Sequence, residues 1–181
     1  MSTRPALPAP RDAATSYTIA MVCLGNICRS PMAEVVLTAK LASADLADSV
    51  VVTSSGTGDW HMGHPMDDRA AATLAAAGYD PSRHRAQQFS RQHLDGSDLV
   101  LAMDRSNLQA IEVTAGEVTA EHDRVRLFRD FDPEASGDTE LADPFYGDLE
   151  AFAATLSIVE RTVDELVTLL QQLRERPPTD S

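Results

Sequence analysis

The sequence predicts an α/β fold: a single domain on a four-stranded parallel sheet, helices on both faces, and a phosphate-binding loop after the first strand. Three observations carry this. Four short runs rich in apolar and β-branched residues alternate with segments of helical period, the pattern of a parallel sheet covered on both faces. The first run, Tyr17 to Cys23, is nearly continuous in apolar residues, as a strand buried on both sides must be. It stops abruptly at a cysteine and a loop holding Gly25 and Asn26, followed at once by a helix start.

The elements follow in order. Residues 1–16 contain Pro5, Pro8 and Pro10 among small residues and read as a flexible tail. After the first loop, Ser30 suits an N-cap and Pro31 the first helical position of a helix reaching about Ser43. Val50 to Ser54 is a second strand, running into a loop marked by Gly56, Gly58, Gly63 and Pro65. Asp67 to about Ala77 is alanine-rich and helical, with Gly78 ending it. Tyr79 to Gln88 is polar and irregular. Ser97 to Met103 forms a third strand, and Asp104 caps a helix through about Thr114. Val125 to Phe128 is the fourth strand, followed by a loop dense in Asp, Pro and Gly from 129 to 147. Leu149, Phe152, Leu156, Val159, Val163, Leu166 and Leu170 then recur at three- and four-residue steps, a long amphipathic helix that Pro177-Pro178 ends. The domain is accordingly placed at 17–176, with a short tail at 177–181.

With 181 residues the chain has room for one sizeable core. Its net charge of −13 argues against general nucleic-acid binding and against attraction to anionic membranes. No apolar run is long enough to span a bilayer, and the N-terminal stretch has no continuous apolar region of the secretory kind, so cytoplasmic residence is the default expectation. The two cysteines, Cys23 and Cys28, do not make a disulfide framework, although a loop that brought them close would permit a reversible bond.

An acidic protein that handles an anion must concentrate positive potential locally, and residues 23–30 have the means. A loop of this length can turn successive backbone N–H groups inward at a helix N-terminus, making a concave anion site. Cys23 at its rim sits in positive potential, which favours the nucleophilic thiolate. Arg29 closes the loop with a planar fork that matches two phosphate oxygens.

The stretch Cys23-Leu24-Gly25-Asn26-Ile27-Cys28-Arg29-Ser30-Pro31-Met32-Ala33-Glu34 closely resembles the opening of the low-molecular-weight protein tyrosine phosphatases. The second hallmark of that family stands far downstream as Asp143-Pro144-Phe145-Tyr146-Gly147, with matching stretches at Thr53 to Thr57 and Met103 to Asn107 between them. The resemblance covers roughly residues 17 to 174. It implies a metal-free, cofactor-free two-step reaction on tyrosine-phosphorylated proteins, with phosphate and other oxyanions as inhibitors, in a protein expected to be a monomer. It further implies Cys23 as nucleophile, Arg29 as phosphate clamp and Asp143 as general acid and base. The loop residues Leu24, Gly25, Asn26, Ile27, Cys28 and Ser30 would surround the phosphate. Ser30 would donate to the Cys23 thiolate, and Asn26 would pin the loop through bonds that include Ser54. Trp60, His61, Phe145 and Tyr146 would wall the tyrosine ring. Phe145 stands where the family usually has tyrosine, so one rim hydroxyl is missing.

Competing readings are available for several of these residues. Cys23, Cys28, His61 and His64 could be drawn as a zinc site, but the cysteine spacing is at the edge of the usual range and Arg29 would set a positive charge beside the cation. Asp132 also precedes a proline, and only the following Tyr146-Gly147 favours Asp143 over it. Arsenate reduction on this fold needs cysteines downstream of the loop, and the chain has none after Cys28. A catalytically silent phosphotyrosine-binding module would be expected to lack Cys23 or Asp143, and both are present.

Overall fold

The computed structural model of the chain describes residues 5–116 and 123–175. The expected tail at 177–181 and the helix end at Pro177-Pro178 lie outside the described residues. The strands are β1 (Tyr17–Cys23), β2 (Val50–Gly56), β3 (Leu99–Ala102) and β4 (Val125–Leu127). The helices are α1 (Arg29–Ser43), α2 (Asp68–Ala76), α3 (Arg91–Asp95), α4 (Arg105–Ala115) and α5 (Leu149–Glu175), with 3₁₀ turns at Phe128–Phe131 and Pro144–Tyr146.

The four strands form one parallel sheet in the order β2-β1-β3-β4. β1 is interior, which explains its continuous apolar run: Ile19, Ala20, Met21 and Val22 are all fully buried, alternating between the two faces. Ile19 and Met21 meet Met32, Val36 and Leu37 of α1 and Phe152, Val159, Val163 and Leu166 of α5 in the larger core. Ala20 and Val22 pack with Val100, Ala102, Leu94, Ile111 and Leu127 on the other face. The chain leaves β1 toward β2 on one side and later crosses to β3 on the other. The crevice beyond the carboxyl end of β1 is therefore a topological switch point, where ligands of open α/β sheets bind.

Three local differences from the sequence expectation have identifiable causes. α1 starts at Arg29 with Cys28 in the N-cap position and no side-chain cap, so Ser30 is not the cap expected of it. The Ser30 hydroxyl is drawn into the loop instead, 3.0 Å from Cys23 Sγ. Pro31 still costs no hydrogen bond, because N–H groups of a first helical turn have no intrahelical partner. β2 extends to Gly56, where it pairs with Cys23. α3 arises within a stretch too short and polar to show a helical period.

Over residues 5–16, where a flexible tail was expected, the chain is anchored. Leu7 enters the larger core, Tyr17 Oη donates to the Pro8 carbonyl at 3.0 Å, and Arg124 reaches the Ala9 carbonyl at 2.9 Å. Arg11 donates through its backbone N–H to Asp98 Oδ1 at 2.6 Å and through Nε to the Ser97 carbonyl at 2.7 Å. Proline and alanine leave carbonyls free to accept from distant side chains, and no periodicity announces such bonds.

Candidate active site

The loop after β1 is held by hydrogen bonds converging on Asn26. Its φ of +55° is a left-handed conformation that asparagine tolerates better than most residues. Asn26 is fully buried, and its amide nitrogen donates to Ser30 Oγ at 2.8 Å and to Ser54 Oγ at 2.9 Å. Its amide oxygen accepts from the Gln87 N–H at 2.9 Å, and its carbonyl lies 2.8 Å from His84 Nε2. Ser54 Oγ in turn donates to Glu34. With partners on both sides Asn26 has one conformation, and the loop has one shape. β2 closes in from the other side at Gly56, where a Cβ would lie 2.7 Å from the Leu24 carbonyl and 2.9 Å from the Asn26 nitrogen. Only glycine permits that approach.

Arg29 opens α1 and is 2 % exposed. Nη1 donates to Asp104 Oδ2 at 2.6 Å and to the Leu141 carbonyl at 3.0 Å, while Nη2 lies 3.2 Å from Asp143 Oδ2. Burial alone would disfavour the charge. The Cys23 sulfur, Asp104 and Asp143 more than offset it and strengthen the hold on the proton. Asp104 does two jobs from the N-terminus of α4: one carboxylate oxygen caps the helix at Asn107 N–H, and the other fixes Arg29.

Eleven of the residues singled out from the sequence line one pocket of about 310 Å³: Cys23, Leu24, Gly25, Ile27, Cys28, Arg29, Trp60, His61, Asp143, Phe145 and Tyr146. Asn26 and Ser30 do not line it. Both are fully buried, and they reach the pocket through Cys23 and the loop backbone. Cys23 and Cys28 are free thiols. Burial, then the nearby charges of Asp67, Asp143 and Cys23, pushes the Cys28 thiol well up and keeps it neutral. The mouth is aromatic and exposed. Phe145 and Tyr146 meet edge to face at 5.1 Å, and the Arg69 guanidinium sits 5.6 Å over the Phe145 ring, tied to Asp67 and the Gly147 carbonyl. Among the described residues, no group of three or more His, Cys, Asp or Glu is placed to hold a metal ion.

Sequence reasoning missed Glu34, His84, Gln87 and Leu141 as parts of this site. The first three support Asn26 from behind, and Leu141 offers only a backbone carbonyl, for which no side-chain signal exists. Asp132, the rival of Asp143, is not in the pocket; Arg129 and Arg161 hold it elsewhere.

The fold recurs in known proteins. The sequence profile described as "Low molecular weight phosphotyrosine protein phosphatase" matches residues 18–176. The low molecular weight protein-tyrosine phosphatase A of Mycobacterium tuberculosis is 41 % identical over 149 residues, 82 % of this chain and 88 % of that protein. A low molecular weight protein-tyrosine-phosphatase of Streptomyces coelicolor is 40 % identical over 160 residues, 87 % of this chain and 95 % of its own length. The crystal structure of YfkJ from Bacillus subtilis superposes with a TM-score of 0.81 at 28 % identity, covering 91 % of this chain and all of that one. A profile spanning the whole folded body, and relatives matched over nearly their full length, leave one assignment. The chain belongs to the low molecular weight phosphotyrosine protein phosphatase family.

Proposed function

We propose that this enzyme hydrolyses phosphotyrosine in proteins, and small aryl phosphates, through a phosphocysteine intermediate. The observation that carries the reading is that Cys23, Arg29 and Asp143 open on one pocket, with a hydroxyl 3.0 Å from the sulfur and the acid 3.2 Å from the clamp. In the first step the Cys23 thiolate attacks phosphorus, the P–S bond forms and the P–O bond to the ring breaks. Asp143, as carboxylic acid, gives its proton to the departing phenolate oxygen. Arg29 and the inward N–H groups of the loop hold the equatorial oxygens, where charge must be stabilised during transfer. In the second step Asp143, now carboxylate, takes a proton from water as its oxygen attacks phosphorus. The P–S bond breaks, releasing inorganic phosphate, and Ser30 Oγ donates to the thiolate that leaves.

The pocket sets the reach. A tyrosine ring can carry its phosphate past Trp60, Phe145 and Tyr146 to the loop, whereas the short stem of phosphoserine cannot. The same reading makes the enzyme a cytoplasmic monomer acting on tyrosine-phosphorylated proteins, with inorganic phosphate and related oxyanions as competitive inhibitors. Cys23→Ser is expected to abolish turnover of p-nitrophenyl phosphate while inorganic phosphate still binds. Hydrolysis at the wild-type rate by that variant would refute the mechanism.

A further inference from the structure

A second cavity, of about 560 Å³, lies between α1, β2 and the segment 80–87. Its wall contains the residues that hold Asn26. Ser54 Oγ, His84 Nε2 and Gln87 N–H bond Asn26 directly. Glu34 stands one step further out, accepting from Ser54 Oγ and lying 3.5 Å from His84 Nδ1. Asn26, Ser54 and His84 are buried, but the Glu34 side chain is 28 % exposed, so solvent in the cavity meets the network there.

The bonds have a direction. The Asn26 amide donates one proton to Ser54 Oγ and the other to Ser30 Oγ. Ser54 Oγ then points its own proton to the Glu34 carboxylate, while Ser30 Oγ lies 3.0 Å from the Cys23 sulfur and 3.3 Å from the Ser55 carbonyl. A carboxylate facing one cavity is thus linked to the sulfur facing the other through one amide and two hydroxyls. Hydrogen bonds in such chains polarise one another. A charge placed on Glu34 is felt by Ser54 first and by Ser30, beside the sulfur, last.

The lining also specifies what fits. Val35, Ala39 and Val52 give an apolar wall. Of the two cationic rim groups, Arg85 donates to the Ser82 and His84 carbonyls, and the charge of Arg83 adds to the Ser82 bonds that hold the Asp80 carboxyl below its ordinary range. Glu34 Oε1 takes no bond among the described residues, which leaves an unsaturated carboxylate beside an apolar surface.

We propose that this cavity binds a small organic cation, an amidinium, guanidinium or ammonium head on a compact apolar body, and that its occupancy slows chemistry at Cys23 through Glu34, Ser54 and Asn26. An amidinium matches a carboxylate with two parallel hydrogen bonds, and its body would lie on the apolar wall. The effect on turnover, unlike the binding, rests on the phosphatase reading above.

Benzamidine is the probe, with binding read by titration calorimetry and turnover read with p-nitrophenyl phosphate. The expected result is saturable binding that inorganic phosphate does not displace, with kcat lowered on the order of five-fold at saturation and KM unchanged. Glu34→Gln should lose the binding. Because Glu34 supports the loop, a second variant is needed: Thr38→Trp fills the cavity from the exposed rim of α1, outside the loop network, and should keep basal turnover while losing both binding and inhibition. No saturable binding, displacement by phosphate, inhibition competitive with substrate, or undiminished binding by Thr38→Trp would each overturn the proposal. An enzyme that binds benzamidine as described yet hydrolyses no aryl phosphate would instead refute the phosphatase reading.

Discussion

Two Asp-Pro pairs stand eleven residues apart between β4 and α5, and the fold gives them opposite surroundings. Locally they are alike. Asp132 accepts from the N–H of Glu134, and Asp143 from the N–H of Phe145, the same turn in which an aspartate bonds the backbone two residues on. The difference comes from distant residues. Asp132 has a side chain with no exposure, and both its oxygens are taken by Arg161 at 2.8 and 2.9 Å, with Arg129 at 3.0 Å. Asp143 keeps a side chain one-third exposed and meets one guanidinium nitrogen at 3.2 Å. A carboxylate saturated by two arginines is fixed as an anion and ties α5 to the loop. One with an open edge in a pocket is left accessible to a bound molecule. The turn chemistry is written in the dipeptide, but its use is decided by which arginines the helices bring.

The comparison can be broken at either end. Asp143→Asn retains the turn acceptor but cannot release a proton, so kcat for p-nitrophenyl phosphate should fall by roughly 10³-fold, within the range for a lost general acid. Its thermal midpoint should stay close to wild type. Asp132→Asn should do the reverse. It leaves two guanidinium groups facing a neutral amide, which costs about 3 kcal/mol when a buried pair is broken, while turnover per folded molecule stays near wild type. A loss of turnover in Asp132→Asn at a temperature where it remains folded would end the assignment of opposite roles.

Acid sharpens the same contrast. Burial alone would raise the proton affinity of Asp132. Bonds from Arg161, the Glu134 N–H and Arg129 outweigh it and hold the carboxyl below the ordinary carboxylate range. A group lowered in the folded state contributes stability that is complete above its unfolded value, about 3.9, and is lost as pH falls through the lower folded value. Thermal midpoints of wild type and Asp132→Asn should therefore differ by a constant amount above about pH 5 and converge below about pH 4. A gap that survives into stronger acid would mean that Asp132 does not titrate with the fold.

The sequence made the sheet legible because β1 must be apolar on both faces, and it made the loop legible because Cys23 and Arg29 lie within one turn of chain. Asp143 is preferred to Asp132 for its neighbours Tyr146 and Gly147, not for its own chemistry, since Asp132 has the same local form. What stayed hidden is what only tertiary contact creates. His84 and Gln87 sit in a polar stretch without period, yet they fix Asn26. Ser30 has the look of a helix cap, and the loop uses its hydroxyl elsewhere. Asp104 shows its capping role in sequence, while its bond to Arg29 spans 75 residues.

The smallest effect is expected where the two turns face outward. Past Asp132 the exposed residue is Glu134, 3.4 Å from Arg161 and engaged in the same ion-pair group. Past Asp143 come Phe145 and Tyr146, and Tyr146 is 93 % exposed, touching Phe145 edge to face. A side chain so exposed contributes almost nothing to the fold, so its contacts remain available to a substrate ring. An aromatic pair is worth about 0.5–1.5 kcal/mol beyond area burial. Tyr146→Ala should therefore raise KM for aryl phosphates by roughly two- to ten-fold, leaving kcat and the thermal midpoint unchanged. An unchanged KM would mean that the ring is walled by Trp60 and Phe145 alone. A lowered kcat would mean that Tyr146 helps place Asp143, which would make the open end of the loop as dependent on packing as the closed one.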